Sequence, residues 1–271
     1  MNGGSLMLSD VRVCRSRRTI LQIDRLNIAP GAFVGVIGAN GAGKTTLLKV
    51  CAGLVKPDKG AVRVDGGDLT RLGCWRKCAL RTQIGYIPQS AEYNAELPFT
   101  VREVVAMGRT SVRPLLTGLR REDYQLVDHW VDVLGLADRR RQTFRSLSGG
   151  EQQKVLIARA MVQQPRILML DEPCANLDFT WKYQISEVVE RLYQETGMTV
   201  LMVSHDTSVL PPACRRVILL AAGRLLGDGD VEEVLSPDRL RCAYGRDLEA
   251  TVMGGRRHIV STSRSGEHIG D

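Results

Sequence analysis

The chain has 271 residues, of which 44% are hydrophobic and 25% charged, and its formal net charge is +7. This length and composition are typical of a globular protein that buries a substantial core. No run approaches the ~20 apolar residues that a membrane-crossing helix needs, and the amino terminus lacks a signal segment, so we expect the chain to stay in the cytoplasm.

The cysteines could form disulfides or a zinc site, and the basic clusters could bind nucleic acid, but the sequence does not favour these roles. The seven cysteines are scattered and odd in number, which favours free thiols, and no second Cys/His pair completes a zinc site with Cys74 and Cys78. Arginines cluster at 15–18, 139–141 and 256–257, and we expect most of them to be solvated surface. Because no aromatic residues interleave with these clusters as a base-stacking platform requires, nucleic acid is not an expected partner.

The first element is a strand that enters a glycine-rich turn. An apolar run at residues 33–37 precedes helix-forming residues 45–50, which predicts strand, loop and helix. The residues between fit the phosphate-loop pattern G-x-x-x-x-G-K-[ST], so a simple glycine turn is improbable. Lys44 is expected to contact the terminal phosphates and Thr45 to ligate Mg²⁺. The pattern indicates only a nucleoside triphosphate, and the candidate binding residues are Gly38, Asn40, Gly41, Ala42, Gly43, Lys44, Thr45 and Thr46.

Between residues 90 and 163 the pattern changes from strands to helices. Apolar residues recur at helical spacing in 101–107, 124–134 and 155–161, with no convincing strand among them. We therefore expect a helical lobe inserted into a sheet domain.

Three further buried strands are predicted after this lobe, at residues 167–170, 200–203 and 217–220. Short apolar strands that alternate with helical stretches indicate a mostly parallel α/β sheet.

Polar residues follow two of these strands, at the edge where a parallel sheet binds ligands. Asp171 suits Mg²⁺ and Glu172 suits general-base activation of the attacking water. An isolated Asp-Glu pair could simply end a strand, but the phosphate loop upstream favours the chemical role. His205 could hydrogen-bond the γ-phosphate or the water. A lone histidine is more often a surface or capping residue, but its position at the end of a strand that should neighbour the Asp171 strand favours the functional role.

Residues 147–151 (LSGGE) precede a long helical stretch, so that a serine hydroxyl and glycine N–H groups lie at a helix amino terminus. In combination with the other motifs, this segment resembles the signature of the ATP-binding-cassette (ABC) superfamily. The resemblance covers nearly the whole chain, and the remaining motifs are the phosphate loop, Tyr86-Ile87-Pro88-Gln89, Asp171-Glu172-Pro173, Asn176-Leu177-Asp178 and His205. It implies a P-loop NTPase core with a mostly parallel sheet, an antiparallel β subdomain and an inserted helical subdomain.

The resemblance also implies an ATPase that uses ATP and Mg²⁺ and forms a head-to-tail homodimer. Each ATP would lie between one chain's phosphate loop and the other chain's signature residues, Ser148, Gly149 and Gly150, with Asp178 communicating across the interface. Glu172, His205 and Gln89 are the implied catalytic residues. Gln89 would sense the membrane subunit and join Thr45 and Asp171 around Mg²⁺.

Two positions depart from the family pattern. Arg15 occupies the place where family members usually carry an aromatic residue that stacks on adenine, although a guanidinium plane can also stack on a base. Cys174 replaces the usual Thr or Ser after the Glu-Pro pair, and since its volume is similar we expect activity to survive.

The motifs divide the chain into one ATP-binding domain and an extension. We expect the ATP-binding domain over residues 1–240, with a sheet core at 1–89 and 164–240 and a helical subdomain at 90–163. Residues 241–271 form a C-terminal extension, whose last dozen residues have the composition of a loose tail.

Within the superfamily, residues 98–109, 232–237 and 243–245 resemble the ATPases of metal importers. One branch of these importers serves ferric siderophores, haem and cobalamin, and another serves zinc or manganese. The implied partners are membrane-spanning permease subunits and, indirectly, a substrate-binding protein, which would place the chain on the inner face of the cell membrane. A non-transport ABC-type ATPase acting on DNA or in translation is the alternative, which the short insert and the single motif set disfavour.

Overall fold

The structure is a computed structural model that describes residues 3–89, 98–114 and 117–261. The strands are β1 (Leu6–Arg15), β2 (Arg18–Ile28), β3 (Phe33–Gly38), β4 (Lys59–Val64), β5 (Gly67–Asp68), β6 (Ile84–Ile87), β7 (Ile167–Asp171), β8 (Thr199–Val203), β9 (Arg216–Ala221), β10 (Arg224–Asp230), β11 (Leu248–Met253) and β12 (Arg256–Ser261). The helices are α1 (Lys44–Cys51), α2 (Cys74–Arg81), α3 (Val101–Thr110), α4 (Arg121–Val133), α5 (Gly149–Met161), α6 (Phe179–Thr196), α7 (Val231–Val234) and α8 (Pro237–Tyr244).

A parallel sheet forms the centre of the molecule, with strands in the order β9-β3-β8-β7-β6. Every residue of β3, β7 and β8 is buried, because helices cover one face of the sheet and α1 covers the other together with strands β1, β2 and β4. All four predicted strands and the mostly parallel arrangement are confirmed. The carboxyl ends of β3, β6, β7 and β8 therefore meet at one edge, where the phosphate loop and the two carboxylates lie.

An antiparallel wing extends the same sheet beyond β9. β10 pairs with β9, and the wing continues through β2, β1, β4 and β5. Burial along β1 alternates over most of its length, as expected for a strand with one face against the core. This wing matches the antiparallel subdomain that the family resemblance implied.

The helical lobe consists of α3, α4 and α5, packed through Val105, Val127 and Ile157 in one hydrophobic core with Leu168 and Leu170 of the sheet. The lobe predicted from helical spacing is confirmed as α3, α4 and α5. Its expected first residues, 90–97, lie outside the described part of the chain.

The C-terminal segment is ordered rather than loose as far as residue 261. The expected boundary between residues 240 and 241 lies inside α8, and Leu240 of that helix is fully buried in the main core. β11 and β12 pair as an antiparallel hairpin that the sequence analysis missed, although Gly254-Gly255, with φ of 58° and 74°, is a recognisable hairpin turn. The rest of the expected tail, residues 262–271, lies outside the described residues.

One basic cluster also differs from expectation. The Arg256 side chain is only 15% exposed and hydrogen-bonds into the body of the protein, so it is not solvated surface. Among residues 3–89, 98–114 and 117–261, no helix is both long and apolar enough to cross a membrane.

Candidate active site

The phosphate loop curls between the end of β3 and the start of α1. Gly43 has a φ of +97°, and a Cβ there would lie 2.9 Å from the Ile20 carbonyl oxygen, so only glycine fits. The Lys44 ammonium donates to the carbonyl oxygens of Gly38 at 2.8 Å and Ala39 at 3.1 Å. Burial lowers the pKa of Lys44, while Glu172 and Asp171 oppose that change. The loop thus presents backbone N–H groups, a helix amino terminus and a cation to an anion.

Asp171 lies at the end of β7, directly facing the loop. Its Oδ1 accepts a hydrogen bond from the Thr45 hydroxyl at 3.0 Å, and its Oδ2 accepts one from the Tyr86 hydroxyl at 3.3 Å. Burial raises the pKa of Asp171, and these two hydroxyl donors partly offset the rise. Tyr86 was not predicted as a site residue, although its position in β6, beside β7, is the signal that could have found it.

Glu172 is the point at which the site residues converge. Gln89 Nε2 donates to Glu172 Oε2 at 3.4 Å, and His205 Nδ1 lies 3.4 Å from the same oxygen. Lys44 Nζ lies 4.0 Å from Glu172 Oε1. Glu172 also has a φ of +50°, a conformation that non-glycine residues adopt rarely and often at functional sites. The residues that follow β6 and β8 and the first residue of α1 thus bring three polar side chains to one carboxylate.

The oxygen atoms around Asp171 suit Mg²⁺. The Thr45 hydroxyl and the Asp171 carboxylate are in contact, and Thr45 and Gln89 line one cavity. Among the described residues, no group of three or more His, Cys, Asp or Glu side chains is placed to hold a metal ion. Mg²⁺ is typically held by one or two carboxylates together with substrate phosphates and water, so this sparse donor set fits the ion.

A cavity of about 600 Å³ lies over the loop and brings together most of the predicted residues. Its walls include Gln89, Glu172 and His205, the loop residues from Asn40 to Thr46, and Ile20. Arg15, expected to stack on the base, is exposed in β1 and does not line this cavity. Ile20, which the sequence analysis did not name, is the apolar side chain on this wall.

The signature residues form a second surface, outside the cavity. Ser148 caps α5 through a reciprocal pair of hydrogen bonds with Glu151: its hydroxyl accepts from the Glu151 N–H, and the Glu151 carboxylate accepts from the Ser148 N–H and hydroxyl. A Cβ on Gly150 would overlap the Trp181 indole. Asp178 caps α6, because its Oδ1 accepts a hydrogen bond from the backbone N–H of Trp181 at 2.9 Å. The signature and Asp178 therefore lie side by side on one chain, with an exposed helix amino terminus that suits an anion.

Cys174 is buried two residues after Glu172. Its Sγ donates to the Lys182 carbonyl oxygen at 3.6 Å, and burial raises the pKa of the thiol to about 12. The protonated thiol therefore makes the kind of donor contact that a hydroxyl would make at this position.

Sequence comparisons relate this chain to import proteins. A family model described as ABC transporter matches residues 21–175. The petrobactin import ATP-binding protein of Bacillus anthracis is 32% identical, over 90% of this chain and 88% of that protein. The hemin import ATP-binding protein of Bordetella avium (strain 197N) is 36% identical, over 92% of this chain and 94% of that protein.

Structural comparisons show the same fold. A transporter described as of the metal-chelate type, in an inward-facing conformation, superposes with a TM-score of 0.81 at 23% identity, over 97% of this chain and 99% of that chain. A dimeric ATP-binding cassette in a post-hydrolysis state, bound to ADP and Pi, superposes with a TM-score of 0.72 at 28% identity, over 83% of this chain and 98% of that chain.

Proposed function

This chain belongs to the ABC transporter family and is an ATP-binding ATPase, and from that premise we propose that it drives the import of a metal chelate across a membrane. The observation that carries the catalytic part is the convergence of Gln89, His205 and Lys44 on Glu172 above the phosphate loop. Both relatives are named import ATP-binding proteins, which disfavours the alternative of an ATPase acting on DNA or in translation.

ATP binding rests on the phosphate loop. The backbone N–H groups from Gly41 to Thr45 and the amino terminus of α1 would hold the β- and γ-phosphates, and Lys44 would exchange its two carbonyl acceptors for phosphate oxygens. Because burial has already removed part of the hydration of Lys44, its attraction to an anion is stronger than in open water.

Glu172 is the proposed general base. Its Oε2 contacts both Gln89 and His205, which fixes the carboxylate while Oε1 remains on the side of Lys44 and the phosphates. A carboxylate held in this way can accept a proton from water that attacks the γ-phosphate. His205 and Gln89 are proposed to orient the water and the phosphate.

Mg²⁺ is the proposed metal ion, held by Asp171 and Thr45 with Gln89 nearby. When bound, it would neutralise charge on the β- and γ-phosphates. The Thr45 and Tyr86 hydroxyls hold the Asp171 carboxylate at the end of β7.

The active unit is proposed to be a homodimer. Ser148 and Gly149 are exposed and lie outside the cavity of their own chain, where they could reach the nucleotide of a second copy. The similar cassette bound to ADP and Pi is a dimer.

The permease is proposed to dock beside Gln89, at the junction of sheet and helical lobe. A groove of about 410 Å³ there is lined by Tyr86, Gln163 and residues of α2. Since the Tyr86 hydroxyl also donates to Asp171, a helix seated in this groove would contact a residue that touches the metal site. This arrangement would place the chain on the inner face of the cell membrane, with a substrate-binding protein as an indirect partner.

The cargo is proposed to be an iron-siderophore complex, haem or cobalamin rather than zinc or manganese ions. The relatives named for petrobactin and hemin each match about nine-tenths of this chain, which supports the chelate branch. No described residue is expected to touch the cargo, because the permease carries it.

Substitution of Glu172 tests this function directly. Glu172→Gln preserves shape and nucleotide binding but removes the base, and we expect ATP hydrolysis to fall by roughly 10²–10⁴-fold in the chain reconstituted with its permease. In the same Glu172→Gln variant, uptake of ferric siderophore, haem or cobalamin into proteoliposomes should also fall. The Lys44→Ala variant should have weakened ATP binding, whereas Glu172→Gln keeps it. The control is Glu195→Gln, an exposed glutamate on α6. Parental ATPase activity in Glu172→Gln would refute the assignment of Glu172 as the base. If the transporter took up Zn²⁺ but no metal chelate, the proposed cargo would be refuted.

A further inference from the structure

Arg256, in the C-terminal hairpin, contacts residues far from it in the sequence. Its Nη1 donates to the Ser186 hydroxyl at 3.0 Å and to the Ser208 carbonyl oxygen at 3.1 Å. The guanidinium lies 4.5 Å above the Tyr183 ring, and Glu187 lies 4.0 Å from Nη2. Ser186 and Ser208 are themselves buried, so the guanidinium supplies a donor to two polar groups that water reaches poorly.

The Ser208 end of this contact belongs to the turn that carries His205. Asp206 Oδ1 accepts from both the N–H and the hydroxyl of Ser208, at 3.0 and 2.6 Å. The Ser204 hydroxyl accepts from the Asp206 N–H at 3.0 Å and donates to the Asp206 carbonyl oxygen at 2.7 Å. Hydrogen bonds among residues 204, 206 and 208 therefore fix the turn that carries His205, and Arg256 binds the Ser208 end of that turn.

The other contacts of Arg256 belong to α6. Tyr183 and Ser186 lie on this helix, whose amino-terminal cap is Asp178, and Lys182 of the same helix lies 3.8 Å from Asp206. One side chain of the hairpin thus joins the turn that bears His205 to the helix that begins at Asp178.

We propose that Arg256 is a positioning residue, through which the C-terminal hairpin holds the 204–208 turn against α6 so that His205 stays in contact with Glu172. The planar guanidinium suits this role because it can stack on a ring while its fixed N–H groups reach two acceptors. Without it, the Ser208 carbonyl and the Ser186 hydroxyl lose the donor that the hairpin supplies to them. The inference rests on the proposed roles of Glu172 and His205, and it assigns the C-terminal extension a part in catalysis.

The test compares Arg256→Met, which keeps the apolar stem over Tyr183, with Arg256→Lys and with Arg246→Met, a control at an exposed arginine of the same segment. Steady-state ATPase kinetics, ATP affinity and Tm are measured on the full-length chain, at a temperature well below every Tm. We expect kcat of Arg256→Met to fall by roughly 10-fold, less than the 10²-fold that a 1 Å misplacement can cause, with KM for ATP and ATP affinity near parental values. Arg256→Lys should recover part of kcat, and the control should match the parent.

A merely structural arginine would give a different result. In that case Tm would fall while kcat, measured on folded protein, stayed at the parental value in Arg256→Met, and this outcome would overturn the proposal. An equal loss of kcat in Arg246→Met would also overturn it. The Glu172→Gln variant separates the role of Arg256 from the proposed ATPase mechanism on which it rests. If Glu172→Gln is inactive and Arg256→Met is fully active, only the role of Arg256 is wrong. Parental activity in Glu172→Gln would instead remove the premise of both.

Discussion

At the scale of single residues, the base-binding end of the nucleotide cavity is the part that departs most from the family pattern. The phosphate end is built from backbone N–H groups and Lys44, which serve any nucleoside triphosphate. Ile20 adds an apolar side chain to the cavity wall, while Arg15, expected at the place of the usual aromatic, is exposed and does not line the cavity. An aliphatic side chain contacts any base without the stacking preference of an aromatic ring. Phosphate binding is therefore better specified than base identity.

This difference predicts weak discrimination between bases. GTP should compete with ATP for the parent chain better than it does in relatives that stack adenine on tyrosine, and Arg15→Tyr should sharpen the preference for ATP because it restores a stacking surface. Competition binding of ATP and GTP measures both effects, and Arg18→Tyr, on the same exposed hairpin, is the matched control. Equally strong rejection of GTP by the parent and by Arg15→Tyr would show that another residue selects the base.

At the scale of elements, the helical lobe is held by one buried carboxylate. Asp123, near the start of α4, is fully buried and accepts from Arg109 Nε at 2.8 Å, Arg113 Nε at 2.7 Å and the Arg120 N–H at 2.8 Å. Burial alone would raise the pKa of Asp123, but these donors lower it to about 2. The carboxylate thereby ties the end of α3 and the residues after it to the start of α4.

Removal of this charge should destabilise the lobe. We expect Asp123→Asn to lower the free energy of unfolding by about 3 kcal/mol, the low end for breaking a buried charge pair, and to lower Tm by roughly 5–6 °C in a chain of this size. Thermal unfolding followed by circular dichroism measures the change. The control is Asp132→Asn. Asp132 and its partner Arg140 are both partly exposed, so their ion pair should contribute little to stability. An unchanged Tm in Asp123→Asn would contradict the argument.

The same carboxylate predicts a pH dependence. Since the pKa of Asp123 in the folded chain, about 2, lies below the ordinary value of about 3.9 in an unfolded chain, its charge stabilises the fold fully above the unfolded value. That contribution is lost as the pH falls through the folded value. The difference in stability between the parent and Asp123→Asn should therefore narrow as the pH is lowered from about 4 towards 2.

At the scale of the whole molecule, the residues proposed to contact nucleotide fall on two separate surfaces of the chain. The phosphate loop, Glu172 and His205 line one cavity, while Ser148 and Asp178 lie on a separate surface. On the proposed function, a monomer with this arrangement would hold no complete composite site. We therefore expect two chains to close around two ATP molecules, and closure would move the helical lobes that are proposed to lie beside the permease.

Mixing two inactive chains tests the shared site. Ser148→Arg blocks the signature and Lys44→Ala blocks the phosphate loop, and each variant alone should hydrolyse ATP poorly. In their heterodimer both defects fall in the same composite site, so the other site is intact and part of the ATPase activity should return, provided that one site can act alone. Activity is measured against the ratio of the two chains, with mixtures of each variant and itself as the control. Full activity in either single variant at dilutions where only monomer is detected would rule out the shared-site arrangement.

The sequence by itself determined the local parts of this protein. The phosphate loop, the strand ending in Asp171 and Glu172, and the capped helix at Ser148 each depend on residues a few positions apart, where glycine conformation, hydrogen-bonded caps and apolar runs act within one turn or strand. The tertiary structure decided which side chains meet. Tyr86 reaches Asp171, Ile20 rather than Arg15 lines the cavity, and Arg256 inserts beside Ser186 and Ser208, which precede it by 70 and 48 residues. Such contacts depend on strand order and on how the C-terminal hairpin packs, and no local spacing encodes them.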